Sequence, residues 1–169
     1  MDQSLETQLG NLLREKGLKI ATAESFTGGL IGDRITNIAG SSDYFIGGVV
    51  AYAYEAKVNL LGVSWDTLKQ YGAVSREVVL EMANGAREKL GADIAISVSG
   101  IAGPGGGLPK KPVGTAWVGL VAADGKWARA FHFPGDRQEV KAAGAEAALK
   151  LLVEYLQGKR DLESRQETR

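Results

Sequence analysis

The chain has 169 residues, which is enough for one domain with its own hydrophobic core. Basic and acidic residues balance at 20 each, which gives no support for nucleic-acid binding, and the absence of cysteine with a single histidine excludes disulfides, thiolate chemistry and a zinc site of several histidines. No apolar run approaches the ~18 residues that span a bilayer, and the first ten residues lack a signal-peptide pattern, so we expect a cytoplasmic protein with no membrane partner.

Hydrophobic periodicity and turn residues predict helices and strands that alternate along most of the chain. Helices are predicted at about 3–16, 30–37, 55–61, 66–71, 75–90 and 136–156, and strands at about 18–23, 44–52, 93–99, 113–122 and 126–133. Because alternating strands and helices precede a late hairpin, we predict an α/β fold, a mixed sheet covered by helices on both faces in three α/β/α layers. Residues 1–157 are predicted to form a single domain, followed by a polar and disordered tail at 158–169.

The most informative motif is a polar turn, AESFTGG, between the first predicted strand and the next helix. Free backbone N–H groups and the helix dipole favour negative charge at such a place, and Gly28 and Gly29 let a ligand approach the backbone. Ser25 is therefore a candidate nucleophile toward an anionic or oxyanion-forming substrate. The alternative is that Ser25 caps the helix that follows.

A serine nucleophile needs a base, and the residues leave two candidates open. His132 is the one histidine, and its alternative role is that of an ordinary strand residue. Lys57 follows a predicted strand, and a buried lysine can accept a proton near neutral pH, with Tyr52 as a relay. The alternative is that Lys57 is a solvated helix lysine and Tyr52 a core aromatic residue.

A glycine-rich loop, GIAGPGGG over residues 100–107, follows a predicted buried strand. Backbone N–H groups of such loops cradle phosphate, although the glycine spacing matches neither the dinucleotide fingerprint nor the P-loop. The alternative is a flexible surface loop. Lys110, Lys111 and Arg137 are nearby cations that would help to bind an anion, and the alternative for each is a solvated side chain.

Taken in order, these blocks resemble the C-terminal domain of the CinA competence/damage-inducible proteins and its stand-alone relatives. The likeness covers about residues 5–157, and the number of blocks in one order makes it specific for that family. The blocks that carry it are TAES at 22–25, TGG at 27–29, GSS at 40–42, Tyr52 with EAK at 55–57, GAVS at 72–75, SGIAGPGG at 99–106, KPVGT at 111–115 and GDR at 135–137.

The resemblance implies hydrolysis of the carboxamide of nicotinamide mononucleotide to nicotinic acid mononucleotide and ammonia, with no cofactor and no metal. Ser25 would attack the amide carbon, and Lys57, through Tyr52, would take the serine proton and later protonate the ammonia. The implied partner is a small pyridine mononucleotide, no nucleic acid is expected, and the chain is expected to form a homo-oligomer. The implied substrate-binding residues are Thr27, Gly28, Gly29, Gly100, Gly103, Gly105, Gly106 and Arg137.

Several positions depart from the family pattern around the implied site. Phe26 stands where the family usually has cysteine, and Ala53 and Tyr54 replace a serine and an asparagine. Gly47 replaces an arginine, and Ala142 lies where the last helix is usually rich in arginine. Loss of polar partners predicts weaker use of the mononucleotide than in a typical member. It also keeps open an alternative function, a non-catalytic nucleotide-binding or assembly module with the same fold.

Overall fold

The computed structural model of the chain describes residues 3–163. It contains six α-helices, one short 3₁₀ helix (Ser41–Asp43) and five strands within that range. The helices are α1 (Leu5–Lys16), α2 (Leu30–Thr36), α3 (Tyr54–Leu61), α4 (Trp65–Tyr71), α5 (Arg76–Leu90) and α6 (Arg137–Leu156). The strands are β1 (Ile20–Glu24), β2 (Phe45–Val50), β3 (Ile94–Gly100), β4 (Thr115–Ala122) and β5 (Gly125–His132).

The five strands form one mixed sheet in the order β2-β1-β3-β4-β5. Strand β1 is parallel to both β2 and β3, whereas β4 is antiparallel to β3 and β5 to β4. Helices connect the parallel strands, a loop over residues 101–114 connects β3 to β4, and a short turn connects β4 to β5. The predicted fold class, a mixed sheet with helices on both faces, is confirmed.

Two apolar clusters cover opposite faces of the sheet, because successive side chains of a strand point to opposite sides. Ile20 and Ile94 belong to the cluster that packs against α1, α2 and α6. Ala21 and Ala95 belong to the cluster that packs against α5 and the two short helices before it. The small residues on this second face let α5 lie close to the sheet.

The helices begin and end close to the predicted positions, because turn residues mark them. Ser75 is the N-cap of α5, and its hydroxyl accepts a hydrogen bond from the Val78 N–H at 3.3 Å. Gly17 ends α1 with a φ of 65°, a left-handed conformation that favours glycine. Even α6, a helix of 20 residues, lacks an apolar stretch that would cross a membrane, and the same holds for the other helices between residues 3 and 163.

The polar segment after α6 is predicted to be disordered, but its residues up to Glu163 pack against the domain. Leu162 is fully buried, and its carbonyl accepts a hydrogen bond from the Arg129 Nε at 3.1 Å. Glu163 forms an ion pair with Arg76 at 2.6 Å. One apolar side chain within a polar stretch is therefore enough to pack this segment on the domain. Residues 164–169 of the predicted tail lie outside the described residues.

Candidate active site

The carboxyl ends of the three parallel strands meet at one edge of the sheet, where open α/β folds place their ligands. Ser25 directly follows β1, Tyr52 follows β2, and the glycine-rich loop follows β3. A cavity of about 260 Å³ lies between these segments. Its walls include Ser25, Phe26, Tyr52, Tyr54, Lys57, Val74, Ser99, Gly100, Gly103, Gly105, Gly106 and Arg137.

The side chain of Lys57 is buried beside Ser25, and only 1% of the residue is exposed. Its Nζ donates hydrogen bonds to Ser25 Oγ at 2.9 Å, to the Ala51 carbonyl at 3.0 Å and to the Tyr52 carbonyl at 2.9 Å. Three acceptors satisfy the three protons of an ammonium group. The alternative of a solvated helix lysine is therefore wrong. The contact joins residues from two different strand–helix junctions.

Burial lowers the pKa of Lys57 from 10.5 to about 8. The neutral amine of Lys57 fits the same three partners. Its two N–H groups can donate to the Ala51 and Tyr52 carbonyls, and its lone pair can accept from the Ser25 hydroxyl. The serine can then donate its proton to the lysine. The pair has the geometry of a nucleophile and its general base.

The lowered pKa of Lys57 predicts a specific pH dependence of stability. Between pH 8 and pH 10.5 the unfolded lysine holds a proton that the folded lysine has lost, so the free energy of unfolding rises with pH across this window. Relative to Lys57→Met, the wild-type chain should gain about 3 kcal/mol over the window, at ~1.36 kcal/mol per pKa unit. Urea unfolding of both proteins from pH 7.5 to 10.5 measures the difference. Curves that stay parallel would contradict the assignment of a buried, proton-releasing lysine.

The turn that presents Ser25 is held by the buried carboxylate of Glu24. Glu24 Oε1 accepts hydrogen bonds from the Thr27 hydroxyl at 2.6 Å and from the Ile31 N–H at 2.9 Å, and Oε2 accepts one from the Gly32 N–H at 3.1 Å. The carboxylate thus satisfies the free donors at the start of α2. The sequence interpretation missed this role of Glu24. The available signal was a carboxylate that ends an apolar strand, because such a group must find donors when buried.

Ser25 does not cap the helix that follows it. Helix α2 begins at Leu30 after Gly29, which makes no side-chain capping bond. Gly28 and Gly29 have φ values of 63° and 106°, a region that favours glycine, so the chain can turn sharply between β1 and α2. The interpretation of Ser25 as an N-cap is therefore wrong, and its side chain is free to face Lys57. Thr27, Gly28 and Gly29 form this turn and do not line the cavity.

Tyr52 lies at the mouth of the cavity with 58% of the residue exposed, so it is not a core aromatic residue. Its hydroxyl accepts a hydrogen bond from Arg137 Nη2 at 2.9 Å. Arg137 Nη1 also donates to the Gly103 carbonyl at 2.7 Å. Arg137 therefore joins Tyr52 to the glycine-rich loop across the opening. The group of Tyr52 that contacts Lys57 is its carbonyl, and the relay through its phenol remains a prediction.

The other candidate base and the two lysines of the loop lie elsewhere. His132 is on β5, its Nε2 is 3.1 Å from the Val113 carbonyl, and it does not line the cavity. Lys111 donates to the Tyr71 carbonyl at 2.6 Å, which ties the loop to the end of α4. Lys110 also lies outside the cavity wall. A different cation, Lys141, lies near the turn: its Nζ is 3.9 Å from where a β-carbon of Gly28 would be.

Phe26 fills core space beside the cavity and is only 3% exposed. A β-carbon at Gly100 would lie 2.9 Å from Phe26 Cε1, and one at Gly144 would lie 2.8 Å from Cε2 and closer still to Cζ. Two glycines that are far apart in the sequence thus make room for the ring. The aromatic side chain mainly contributes packing rather than a surface for a ligand.

This packing predicts that the effect of Gly144→Ala depends on Phe26. In the wild-type chain the added methyl group overpacks the core, which costs about 1–3 kcal/mol and outweighs the gain of about 1 kcal/mol from helix propensity. In a Phe26→Ala background the clash is absent, so Gly144→Ala should stabilise the protein. Urea unfolding of the four proteins in this cycle measures the coupling. An equal effect of Gly144→Ala in both backgrounds would contradict the contact.

The family model for the CinA C-terminal domain matches residues 2–156 of the chain. A CinA-like protein of Salinibacter ruber is 51% identical over 149 residues, which are 88% of this chain and 36% of that relative. A putative competence-damage inducible protein of Halothermothrix orenii is 50% identical over 156 residues, which are 92% of this chain and 38% of that relative. The chain therefore spans less than two fifths of these curated relatives.

Solved structures with a similar chain fold carry related names. A competence-damaged protein (CinA) superfamily protein from Klebsiella pneumoniae has a TM-score of 0.88 and 36% sequence identity, over 92% of this chain and 97% of that one. The competence/damage inducible protein CihA from Agrobacterium tumefaciens has a TM-score of 0.85 and 38% identity, over 93% of this chain and 98% of that one. Sequence and structure thus point to the same family.

Proposed function

Because the chain belongs to the CinA C-terminal domain family, we propose that it hydrolyses the carboxamide of nicotinamide mononucleotide to ammonia and nicotinic acid mononucleotide. Ser25 is the nucleophile and Lys57 the general base. The observation that carries the proposal is the buried Lys57 Nζ at 2.9 Å from Ser25 Oγ on the wall of a cavity. A nucleophile and a base within hydrogen-bond distance are the minimum for covalent amide hydrolysis.

The reaction uses the lysine twice. Ser25 Oγ attacks the amide carbon while its proton moves to neutral Lys57, which gives a tetrahedral oxyanion. The oxyanion collapses, the carbon–nitrogen bond breaks, and the Lys57 ammonium protonates the departing nitrogen to give ammonia. A water molecule then attacks the serine ester, and Lys57 takes one of its protons. The carbon–oxygen bond to Ser25 breaks as that proton passes to Ser25 Oγ, and the carboxylic acid product loses its remaining proton to solvent.

Backbone N–H groups of the turn after Ser25 are suited to stabilise the oxyanion. The Ser25 N–H donates to the Val98 carbonyl at 3.1 Å, and the Gly28 N–H donates to the Ser25 carbonyl at 3.0 Å. Among the residues that the structure describes, the N–H group of Phe26 makes no hydrogen bond, and Phe26 lines the cavity. This group is the proposed oxyanion donor.

The phosphate of the nucleotide is assigned to the glycine-rich side of the cavity. Arg137 lines it and keeps guanidinium N–H groups beyond the two that bind Gly103 and Tyr52. The pyridine ring is assigned to the opposite wall, where Tyr54 is 42% exposed and its hydroxyl accepts a hydrogen bond from the Ala73 N–H at 3.3 Å.

The departures from the family pattern leave the Ser25–Lys57 pair intact. Phe26 is buried in the core, and Ala53 is the N-cap of α3 without a side-chain bond. The cysteine and serine of other members would therefore change packing and helix capping at these positions. Phe26 and Tyr54 both line the cavity, and of these two departures Tyr54 is the exposed one, at 42% against 3% for Phe26. This distribution supports the catalytic function over a non-catalytic binding module.

A substrate panel tests the proposed function. Ammonia release is measured with nicotinamide mononucleotide, nicotinamide riboside and nicotinamide, with the Ser25→Ala variant as the control. The mononucleotide should have the highest kcat/KM, and removal of the phosphate should lower it by roughly tenfold to 100-fold through the loss of charged hydrogen bonds. Equal turnover of nicotinamide itself would overturn the nucleotide assignment. Failure to release ammonia from any of them would overturn the amidase.

A further inference from the structure

Strand β2 forms an edge of the sheet, and it lacks the charges that usually protect an edge strand. No charged residue occurs between Tyr44 and Tyr54. Ile46 is 40% exposed and Val50 is 48% exposed, although both are apolar. A register shift of the β1–β2 ladder follows its first pair, so the regular part of the edge begins at Gly47.

The backbone of β2 offers a fixed set of unpaired groups along this edge. The Ala51 N–H donates to the Glu24 carbonyl of β1 at 2.8 Å, so the hydrogen-bonding groups of residue 51 point into the sheet. Because these groups alternate along a parallel strand, those of residues 48 and 50 point away from β1. The outer N–H and C=O groups of Gly48 and Val50 are therefore available to another extended strand.

The side chains at these two positions complement each other. Val50 carries an exposed branched side chain, and Gly48, two residues earlier on the same face of the sheet, carries none. In an antiparallel pair in which residue 48 lies opposite residue 50, each valine lies over the glycine of the other strand. A second copy of the same strand provides this match at both places at once.

We propose that β2 pairs with β2 of a second copy of this chain, antiparallel and around a twofold axis at Val49. Four backbone hydrogen bonds form between Gly48 and Val50 of the two copies, and the two sheets become continuous. The formal net charge of +0 leaves little electrostatic repulsion between copies. The same register places Ile46 of the second copy opposite Tyr52, at the mouth of the cavity.

Single cysteine variants test this register, because the natural chain has no cysteine. The Val49 Cα atoms of the two copies would be ~4.5 Å apart as a non-hydrogen-bonded pair, within the span of a disulfide. Val49→Cys should therefore form a covalent dimer on mild oxidation. Ile46→Cys should not, because the two Ile46 positions are six residues out of register, roughly 20 Å apart. Leu60→Cys, at an exposed position on α3, is the control.

Sedimentation velocity over a range of concentrations tests the association itself. The wild-type chain should be a dimer, and Val50→Lys should raise the dissociation constant by about tenfold or more. Leu60→Lys is the matched control, since Leu60 and Val50 are each 48% exposed, and it should leave the dimer unchanged. A monomeric wild-type chain would overturn the proposal. So would a dimer that tolerates Val50→Lys, or cross-linking through Ile46→Cys in place of Val49→Cys. These readouts do not depend on enzymatic activity.

Discussion

Ser25→Ala is expected to abolish ammonia release from nicotinamide mononucleotide while leaving the fold intact. The Ser25 Oγ accepts the hydrogen bond from Lys57 Nζ, and the turn around it is held by Glu24. Loss of the hydroxyl removes the covalent route. The rate should fall by roughly 10⁴-fold or more, as it does when one residue of a serine-hydrolase triad is removed. The rate is measured by coupled ammonia detection, and the fold by thermal unfolding monitored by circular dichroism.

Ser97→Ala is the matched control for this substitution. Ser97 is also a buried serine at a parallel strand, but its hydroxyl donates to the Val79 carbonyl and does not line the cavity. Its loss should lower stability and leave most of the activity. Near-wild-type turnover by Ser25→Ala, with a clean substrate and enzyme preparation, would rule out Ser25 as the nucleophile.

Lys57→Met is expected to lower kcat by roughly 10²–10⁴-fold, the usual contribution of a positioned base. The wild-type kcat/KM should rise with pH up to about pH 8, because burial lowers the pKa of Lys57 to about 8 and the neutral amine is the active form. Lys111→Met is the control, since Lys111 binds the Tyr71 carbonyl outside the cavity. It should change kcat by less than about tenfold, the value of one lost hydrogen bond.

The comparison of kcat with KM separates two roles for Lys57. A base acts in the chemical step, so its loss lowers kcat. If Lys57→Met raised KM and left kcat unchanged, Lys57 would be a substrate contact and another group would have to activate Ser25.

Most of the secondary structure follows from short-range patterns in the sequence. Apolar runs predict the strands, and residues such as Gly17 and Ser75 mark helix ends through local backbone chemistry, which the structure bears out. The candidate turn at Ser25 was recognisable for the same reason. These features depend on neighbours within a few residues, so the sequence contains the information needed to predict them.

The features that were not predictable depend on contacts between distant residues. The positions of Ser25 and Lys57 in the sequence do not show that the two side chains are in contact. The buried Lys57 ammonium group is stabilised by the carbonyls of Ala51 and Tyr52, the two residues after β2. Phe26 stands where the family pattern has cysteine, and its place in the core depends on Gly100 and Gly144, which make room for the ring. The polar composition of residues 158–169 predicts a disordered tail, yet Leu162 is buried because the chain folds back after α6.

The products formed from nicotinamide mononucleotide by the wild-type chain test the central claim most directly. Chromatography of the reaction, with ammonia measured in the same samples, should show equal amounts of ammonia and nicotinic acid mononucleotide, and neither with Ser25→Ala. That result means that the carboxamide is hydrolysed through Ser25. Release of free nicotinamide and a ribose phosphate, or an unchanged substrate after prolonged incubation with folded protein, would contradict the proposed Ser25–Lys57 amidase.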